Sequence, residues 1–361
     1  MSGVNAASEI RPGANRYVGG THVLENLEAY LEDFGKCAII TGTKSFEAFT
    51  KFYGKALDLP IYRYDGSSSD ENAQALADEI KQIDTIIGIG GGRVLDTAKD
   101  AAEFLDAKMV SIPTLISNCA PFTPIGAIYH PDHTFKRVAY FKKAPDLTLV
   151  DWELLLTTPP AYLVAGIGDT LAKWYEIEGL TRHLQSEEKT AGIRLGIASA
   201  KQILDILLED SDPALAAINT QKVVPAFGRI ADTVIALAGT VGGFAAEYGR
   251  MAGAHATHNG LSFIPATHSV LHGNKVAYGI LVQLAFTKDF DEIKRLKPFY
   301  KKVGLPTNLA QLNVTDDNQD ALQKVAEIAA SDHESFRLID ANITASNVLT
   351  AMEKVEELDK D

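Results

Sequence analysis

Thr85-Ile-Ile-Gly-Ile89-Gly90-Gly91-Gly92-Arg93-Val94-Leu95-Asp96-Thr97-Ala98-Lys99 joins an apolar run to a helical pattern through consecutive glycines. Thr85–Ile89 reads as a short buried strand. Val94, Leu95, Ala98, Ala101, Ala102 and Leu105 fall on one face of a following helix. Glycines at such a turn let the backbone approach a pyrophosphate, and the helix N-terminus supplies free N–H donors. The run departs from the common dinucleotide fingerprint, because Arg stands at position 93 where a glycine would be needed.

The same alternation extends on both sides. Leu24, Leu27, Leu31 and Phe34 mark a helix over Val23–Phe34, and Cys37–Thr41 is a strand followed by a helix over Ser45–Tyr53. Ile61–Tyr64 and Met109–Ile112 read as further strands, with helix over Asp70–Ile83. This predicts an α/β dinucleotide-binding domain with a parallel sheet over residues 1–155. Beyond about Leu154 the pattern turns helical: Ala161–Leu180, Lys189–Glu209, Lys222–Ala238, Gly253–Phe263, Val276–Phe286, Glu292–Val303 and Asn318–Ile328. Residues 156–361 are therefore expected to form an all-α domain binding metal and substrate, ending in an acidic helical tail at Glu353–Asp361.

Bulk properties narrow the function. The 361 residues are 46% hydrophobic and 22% charged, an ordinary globular balance. A formal net charge of −13 argues against nucleic-acid and anionic-membrane partners. No uninterrupted apolar run reaches membrane-spanning length, and Met1–Ser8 lacks the basic and apolar segments of a signal peptide. With two cysteines, Cys37 and Cys119, no disulfide framework is expected, which points to the cytoplasm.

Three short motifs carry candidate metal ligands: Gly168-Asp169-Thr170, His255-Ala-Thr-His258-Asn-Gly260 and Leu271-His272-Gly273. One carboxylate and two imidazoles suit a catalytic divalent ion with an open coordination position. Taken singly, Asp169 reads as a helix N-cap, His255 as a core histidine and His272 as a turn residue.

The segments Gly90-Gly91-Gly92-Arg93-Val94-Leu95-Asp96 and Gly166-Ile-Gly-Asp169-Thr-Leu-Ala-Lys-Trp-Tyr-Glu176, with the two histidine motifs, resemble the iron-containing (type III) alcohol dehydrogenases. The likeness is to their glycerol dehydrogenase branch, and it implies the dehydroquinate synthase-like fold that branch shares. It also implies Asp169, His255 and His272 as ligands of one divalent metal, zinc first, with iron, manganese or nickel also compatible. Cofactor phosphates would lie on Gly91 and Gly92 with Arg93 beside them, and Asp96 would support the loop. Thr114, Ser117, Thr123, Ile125 and Tyr129 align with cofactor-contacting positions. His258 would be a proton shuttle at the site. A small-molecule substrate, a cleft between the domains and a homo-oligomer follow from the same likeness.

Two departures point to one subgroup. Cys119 stands where glycerol dehydrogenases carry a polyol-binding aspartate, and a cysteine would not repel a carboxylate substrate. Arg250, one turn before His255, is a candidate carboxylate ligand. The loop cysteine and the segment Ala165–Glu176 resemble the hydroxycarboxylate dehydrogenases, which reduce short 2-oxo acids such as 2-oxoglutarate and 2-oxobutanoate. After the strand Cys37–Thr41, Gly42-Thr43-Lys44-Ser45 has no carboxylate for a ribose 2′-hydroxyl, and Lys44 could bind a 2′-phosphate, so NADP(H) is expected over NAD(H). The alternatives are an NAD-dependent glycerol or vicinal-diol dehydrogenase, a lyase of the dehydroquinate synthase type and a non-catalytic metabolite-binding protein.

Overall fold

Among the described residues eight strands form in chain order: β1 Tyr17–Gly20, β2 Cys37–Thr41, β3 Ile61–Arg63, β4 Thr85–Gly90, β5 Lys108–Pro113, β6 Ile125–Tyr129, β7 Phe135–Tyr140 and β8 Leu147–Asp151. The computed structural model describes residues 10–132, 134–315 and 319–360. The readings placed on Met1–Ser8, Asn318 and Asp361 lie outside them. Six strands make a parallel sheet in the order β1-β8-β5-β4-β2-β3, and β6 and β7 pair as an antiparallel hairpin.

Alternation along each central strand divides its side chains between the two faces. Ile39, Ile87, Ile89, Val110 and Ile112 pack with Leu24, Leu27 and Leu154 and with Phe49 and Tyr53 of the helix Thr43–Tyr53. Ala38, Ile40, Ile86 and Met109 face the helices Asp70–Ile80 and Gly92–Phe104 through Leu76, Ile80, Leu95 and Ala98. Both faces are covered, so β2, β4 and β8 are buried throughout, as expected of parallel strands.

The chain reverses its direction of winding between β2 and β4, which are neighbours in the sheet. In an open α/β sheet that is where ligands bind, beyond the carboxyl ends of the strands. Thr41 is in register with Ile89, and Gly90 with Pro113. Gly42, Gly91 and Thr114 therefore emerge along one sheet edge.

The chain divides into two compact units. One comprises Pro12–Leu163 and Pro213–Gly239; the other comprises Met1–Arg11, Val164–Asp212 and Thr240–Asp361. The single cut read at 155/156 did not include the return of 213–239 to the sheet-bearing unit. The helix Ala191–Thr220 continues through Pro213, and a π-turn at Thr233–Leu237 interrupts the next helical stretch. Helical periodicity runs across both crossings, so it marks neither.

Other differences are local. The helix expected over Val23–Phe34 is a chain of short turns broken at Asn26, whose φ of −103° and ψ of 21° leave the helical region. By length and composition the stretch Pro225–Gly249 is apolar enough to cross a membrane, and half of its most apolar window is buried within the protein. Arg229, Asp232 and Glu247 break its apolar run. Asp232 accepts a hydrogen bond from Tyr17 Oη at 2.6 Å inside the sheet-bearing unit.

Candidate metal centre and cofactor loop

Asp169, His255 and His272 converge within the helical unit. Asp169 Oδ1 lies 3.3 Å from His255 Nε2 and 3.2 Å from His272 Nε2, and one ligand atom from each residue falls within 4.8 Å of the others. A tetrahedral ion with bonds of about 2.0–2.1 Å holds its donors about 3.3 Å apart, so this set fits a divalent ion such as zinc.

The local positions differ from the single-residue readings. Asp169 is not an N-cap; it lies in the middle of the helix Pro160–Thr181. His272 is not a turn residue but the first residue of the helix His272–Phe286. His255 lies in the first turn of Gly253–Leu261. Glycines allow these helices to meet. A Cβ on Gly273 would lie 1.8 Å from the Ala165 carbonyl oxygen, and one on Gly279 would lie 2.3 Å from that of Ala254. Both motif glycines flanking the ligands, Gly168 and Gly273, serve this approach, because a Cβ on Gly168 would lie 2.6 Å from Gly273 O.

The electrostatics suit a cation. Burial would raise Asp169, but hydrogen bonds from His255 and His272 outweigh it and hold its carboxyl well below the usual range. Burial would lower His255, yet the carboxylates of Glu176 and Asp169 push it up to about 9. Glu176 is the residue that motif reasoning left without a role. It is buried, accepts from His255 Nδ1 at 2.9 Å, and also accepts from the backbone N–H of Ala252 at 2.7 Å and of His255 at 3.0 Å. It therefore directs His255 Nε2 toward Asp169. The signal was present in the spacing: Asp169 and Glu176 are two helical turns apart on one face.

His258 is half-buried with both ring nitrogens engaged, 2.9 Å from His272 Nδ1 and 3.0 Å from Asn259 Oδ1. Burial, with His272, Lys275 and His255 beside it, pushes it well below the usual histidine value. His268 is exposed, and its Nε2 donates to Ser262 O at 3.0 Å. Arg250 lies in the link ahead of Gly253–Leu261, not on a helix, and its carbonyl accepts from Lys173 Nζ at 2.9 Å.

The sheet-bearing unit gathers the residues read as cofactor-binding. Gly91 caps the helix Gly92–Phe104, and added Cβ atoms on Gly91 and Gly92 would meet Leu115 at 2.9 Å and Asn118 at 2.6 Å. Thr114 N–H donates to Gly90 O at 3.1 Å, which joins the two loops. Arg93 is exposed and its guanidinium lies over the Tyr129 ring, 4.7 Å from the centroid. Ser117 is half-buried; Thr123 is buried and its hydroxyl donates to Cys119 O at 3.2 Å. Cys119 is half-buried and is not in a disulfide. Lys44 is exposed on the first turn of Thr43–Tyr53. Ser45 is occupied, since its hydroxyl accepts from Gly42 N–H at 3.0 Å, which leaves Thr43 and Lys44 facing solvent.

Asp96 supports the loop through a partner not foreseen. It pairs with Lys99 at 2.8 Å, both nearly inaccessible, and accepts from Ala127 N–H at 3.0 Å. Lys99 Nζ also donates to the carbonyls of Ala120 (3.0 Å), Thr123 (3.3 Å) and Ile125. One buried ion pair thus holds the whole segment Cys119–Ile125 against the glycine-loop helix.

The iron-containing alcohol dehydrogenase profile matches residues 14–152. Hydroxycarboxylate dehydrogenase A of Escherichia coli K12 is 37% identical over 329 residues, covering 90% of each chain. The chain belongs to the iron-containing alcohol dehydrogenase family. Within that family it is also 34% identical over 360 residues to a glycerol dehydrogenase of Thermotoga maritima, covering 96% of each chain. The structure of a probable glycerol dehydrogenase from Sinorhizobium meliloti 1021 superposes with a TM-score of 0.88 at 28% identity, covering 98% of this chain and 99% of that one. This family member is an oxidoreductase acting on CH–OH groups. That class excludes the lyase and the non-catalytic binder weighed on sequence grounds.

Proposed function

We propose that the enzyme transfers hydride between NADP(H) and a short 2-oxo acid, forming the corresponding 2-hydroxycarboxylate. The observation that carries an alcohol–carbonyl conversion is the Asp169/His255/His272 set, with donors 3.2–3.3 Å apart. Those residues would hold a divalent ion, zinc first, which would polarise a carbonyl oxygen or acidify an alcohol. Glu176 keeps His255 oriented, and Gly91 and Gly92 offer backbone N–H groups to the cofactor phosphates. In the reduction, hydride passes to the keto carbon and a proton to its oxygen.

The choice of an acid rests on Cys119 in place of a polyol-binding aspartate and on Arg250 as the carboxylate's partner. The relative named hydroxycarboxylate dehydrogenase A agrees with it. NADP(H) is supported by exposed Lys44, and by Arg63, which hydrogen-bonds Gly42 O at 2.8 Å beside it. A second reading, an NAD-dependent glycerol or vicinal-diol dehydrogenase, is favoured by the relatives carrying the glycerol dehydrogenase name.

The test is an assay on metal-loaded protein with NADPH or NADH and 2-oxoglutarate or 2-oxobutanoate, beside NAD or NADP with glycerol. NADPH oxidation by an oxo acid with glycerol inert is expected. Glycerol oxidation with NAD, and no oxo-acid turnover, would replace the first reading with the second.

A further inference from the structure

Hydrogen bonds run from His272 through His258 and Asn259 to Glu334, a residue that no motif singled out. His272 Nδ1 lies 2.9 Å from His258 Nε2, and His258 Nδ1 lies 3.0 Å from Asn259 Oδ1. Asn259 Nδ2 lies 2.9 Å and 3.0 Å from the two Glu334 carboxylate oxygens.

Donor and acceptor roles follow in order from the far end. An ionised carboxylate only accepts, so the Asn259 group facing Glu334 is its NH2, and the flipped amide would set oxygen against oxygen. The Asn259 oxygen is then turned to His258 Nδ1, which must carry the hydrogen. In that tautomer His258 Nε2 is bare and can only accept. Ser262 does not compete for it. Its Oγ is 3.4 Å from that nitrogen, while its hydroxyl donates to His258 O at 2.9 Å and it accepts from Lys275 Nζ at 3.0 Å. The donor to His258 Nε2 is therefore His272 Nδ1–H, and His272 keeps Nε2 for the Asp169 side.

We infer that Glu334 and Asn259 are positioning residues that set the tautomer of the metal ligand His272 through His258. The inference rests on the reading of His272 as a ligand. It gives His258 an orienting role in place of proton shuttling. Glu334, 62 positions beyond His272 and just ahead of the turn Ser335–Leu338, acts without touching the ion.

Nitrogen-15 NMR of histidine-labelled protein, metal-free and zinc-loaded, reads each imidazole tautomer directly. A zinc titration against a chromophoric chelator reads affinity. His258 is expected to carry hydrogen on Nδ1 in both forms. Asn259→Leu removes its acceptor, and Glu334→Ala frees the amide to turn. Each is expected to mix the His258 tautomers and to weaken zinc binding about tenfold or more. Glu334→Gln, whose amide oxygen still accepts from Asn259, is expected to stay within about threefold of wild type.

Wild-type His258 protonated on Nε2 would overturn the inference. So would wild-type zinc affinity and His272 signals in both Asn259→Leu and Glu334→Ala. If Asn259→Leu does not fold, Glu334→Ala, at a half-buried position, decides alone. Failure of the wild-type protein to bind zinc would sink the metal reading, while the metal-free His258 signal would still judge the relay.

Discussion

Gly273→Ala tests the packing that creates the candidate metal centre. The new methyl would stand 1.8 Å from Ala165 O, 2.5 Å from its carbonyl carbon and 3.1 Å from its Cα. These are backbone atoms in the helix that carries Asp169, so no side chain can swing away. The helices must part by at least about 1 Å to accept it. Two effects oppose each other in stability. Replacing a helical glycine by alanine is worth about 0.5–1 kcal/mol in backbone entropy. Overpacking against fixed backbone costs about 1–3 kcal/mol or more. The clash wins, and a net loss of about 1–2 kcal/mol is expected. The effect on metal is larger in proportion. Ligand distances must hold within about 0.2 Å, and His272 is the residue next to the clash. Zinc affinity should fall about 10- to 100-fold. Calorimetry gives the stability and a chelator-competition titration gives the affinity. A variant that melts at or above wild type with undiminished zinc affinity would refute the close-approach explanation for both motif glycines.

Three other perturbations follow. Glu176→Gln removes the charge and leaves one oxygen where two now accept, one from His255 Nδ1 and one from the backbone N–H groups of Ala252 and His255, so zinc affinity should drop about tenfold; an unchanged titration would show that the buried carboxylate contributes nothing to the ion. Lys99→Met leaves the Asp96 charge buried and unpaired, at a cost of about 3–5 kcal/mol, while the double change with Asp96→Asn should recover most of it. Urea unfolding measures that cycle, and additive losses would contradict the ion-pair account. Asp100 is buried; burial, with Asp70 and Glu103 beside it, pushes its carboxyl up to about 7 against the opposing pull of Arg137. The folded state thus holds a proton that the unfolded chain releases near pH 4, so stability from this group is full below about 4 and lost as pH rises through 7. Asp100→Asn should leave stability unchanged at pH 4 and raise it at pH 8 by about 1–3 kcal/mol. Denaturant curves at the two pH values that shift equally would argue against a protonated Asp100.

Much of the sheet-bearing unit was legible from residue order, because its strands and helices are local patterns. Cys37–Thr41 is a strand to the residue, and the glycine turn opens its helix as expected. The missed strands β1 and β8 and the hairpin β6–β7 carried weaker signals. β1 is four residues ending in two glycines, and β7 exposes most of its side chains. β8 is the short run Leu-Thr-Leu-Val-Asp, which only its neighbours β1 and β5 identify as strand. The three candidate ligands were also available to motif reasoning, but their placement was not. Asp169 is a carboxylate in mid-helix, and it reaches His272 only because Gly168 and Gly273 let two backbones touch.

Composition, periodicity and short motifs by themselves determined the α/β class of the N-terminal part, the glycine turn at a helix start and the three metal-ligand candidates. Each of these depends on residues close in the chain. Tertiary structure alone decided the partners: Glu334 behind Asn259 and His258, and Lys99 beneath three loop carbonyls. It also decided the return of 213–239 to the sheet-bearing unit. Hydrogen-bond direction and burial are properties of groups that meet in space, and contacts such as that of Asn259 with Glu334, 75 residues apart, leave no periodic trace in the order of residues.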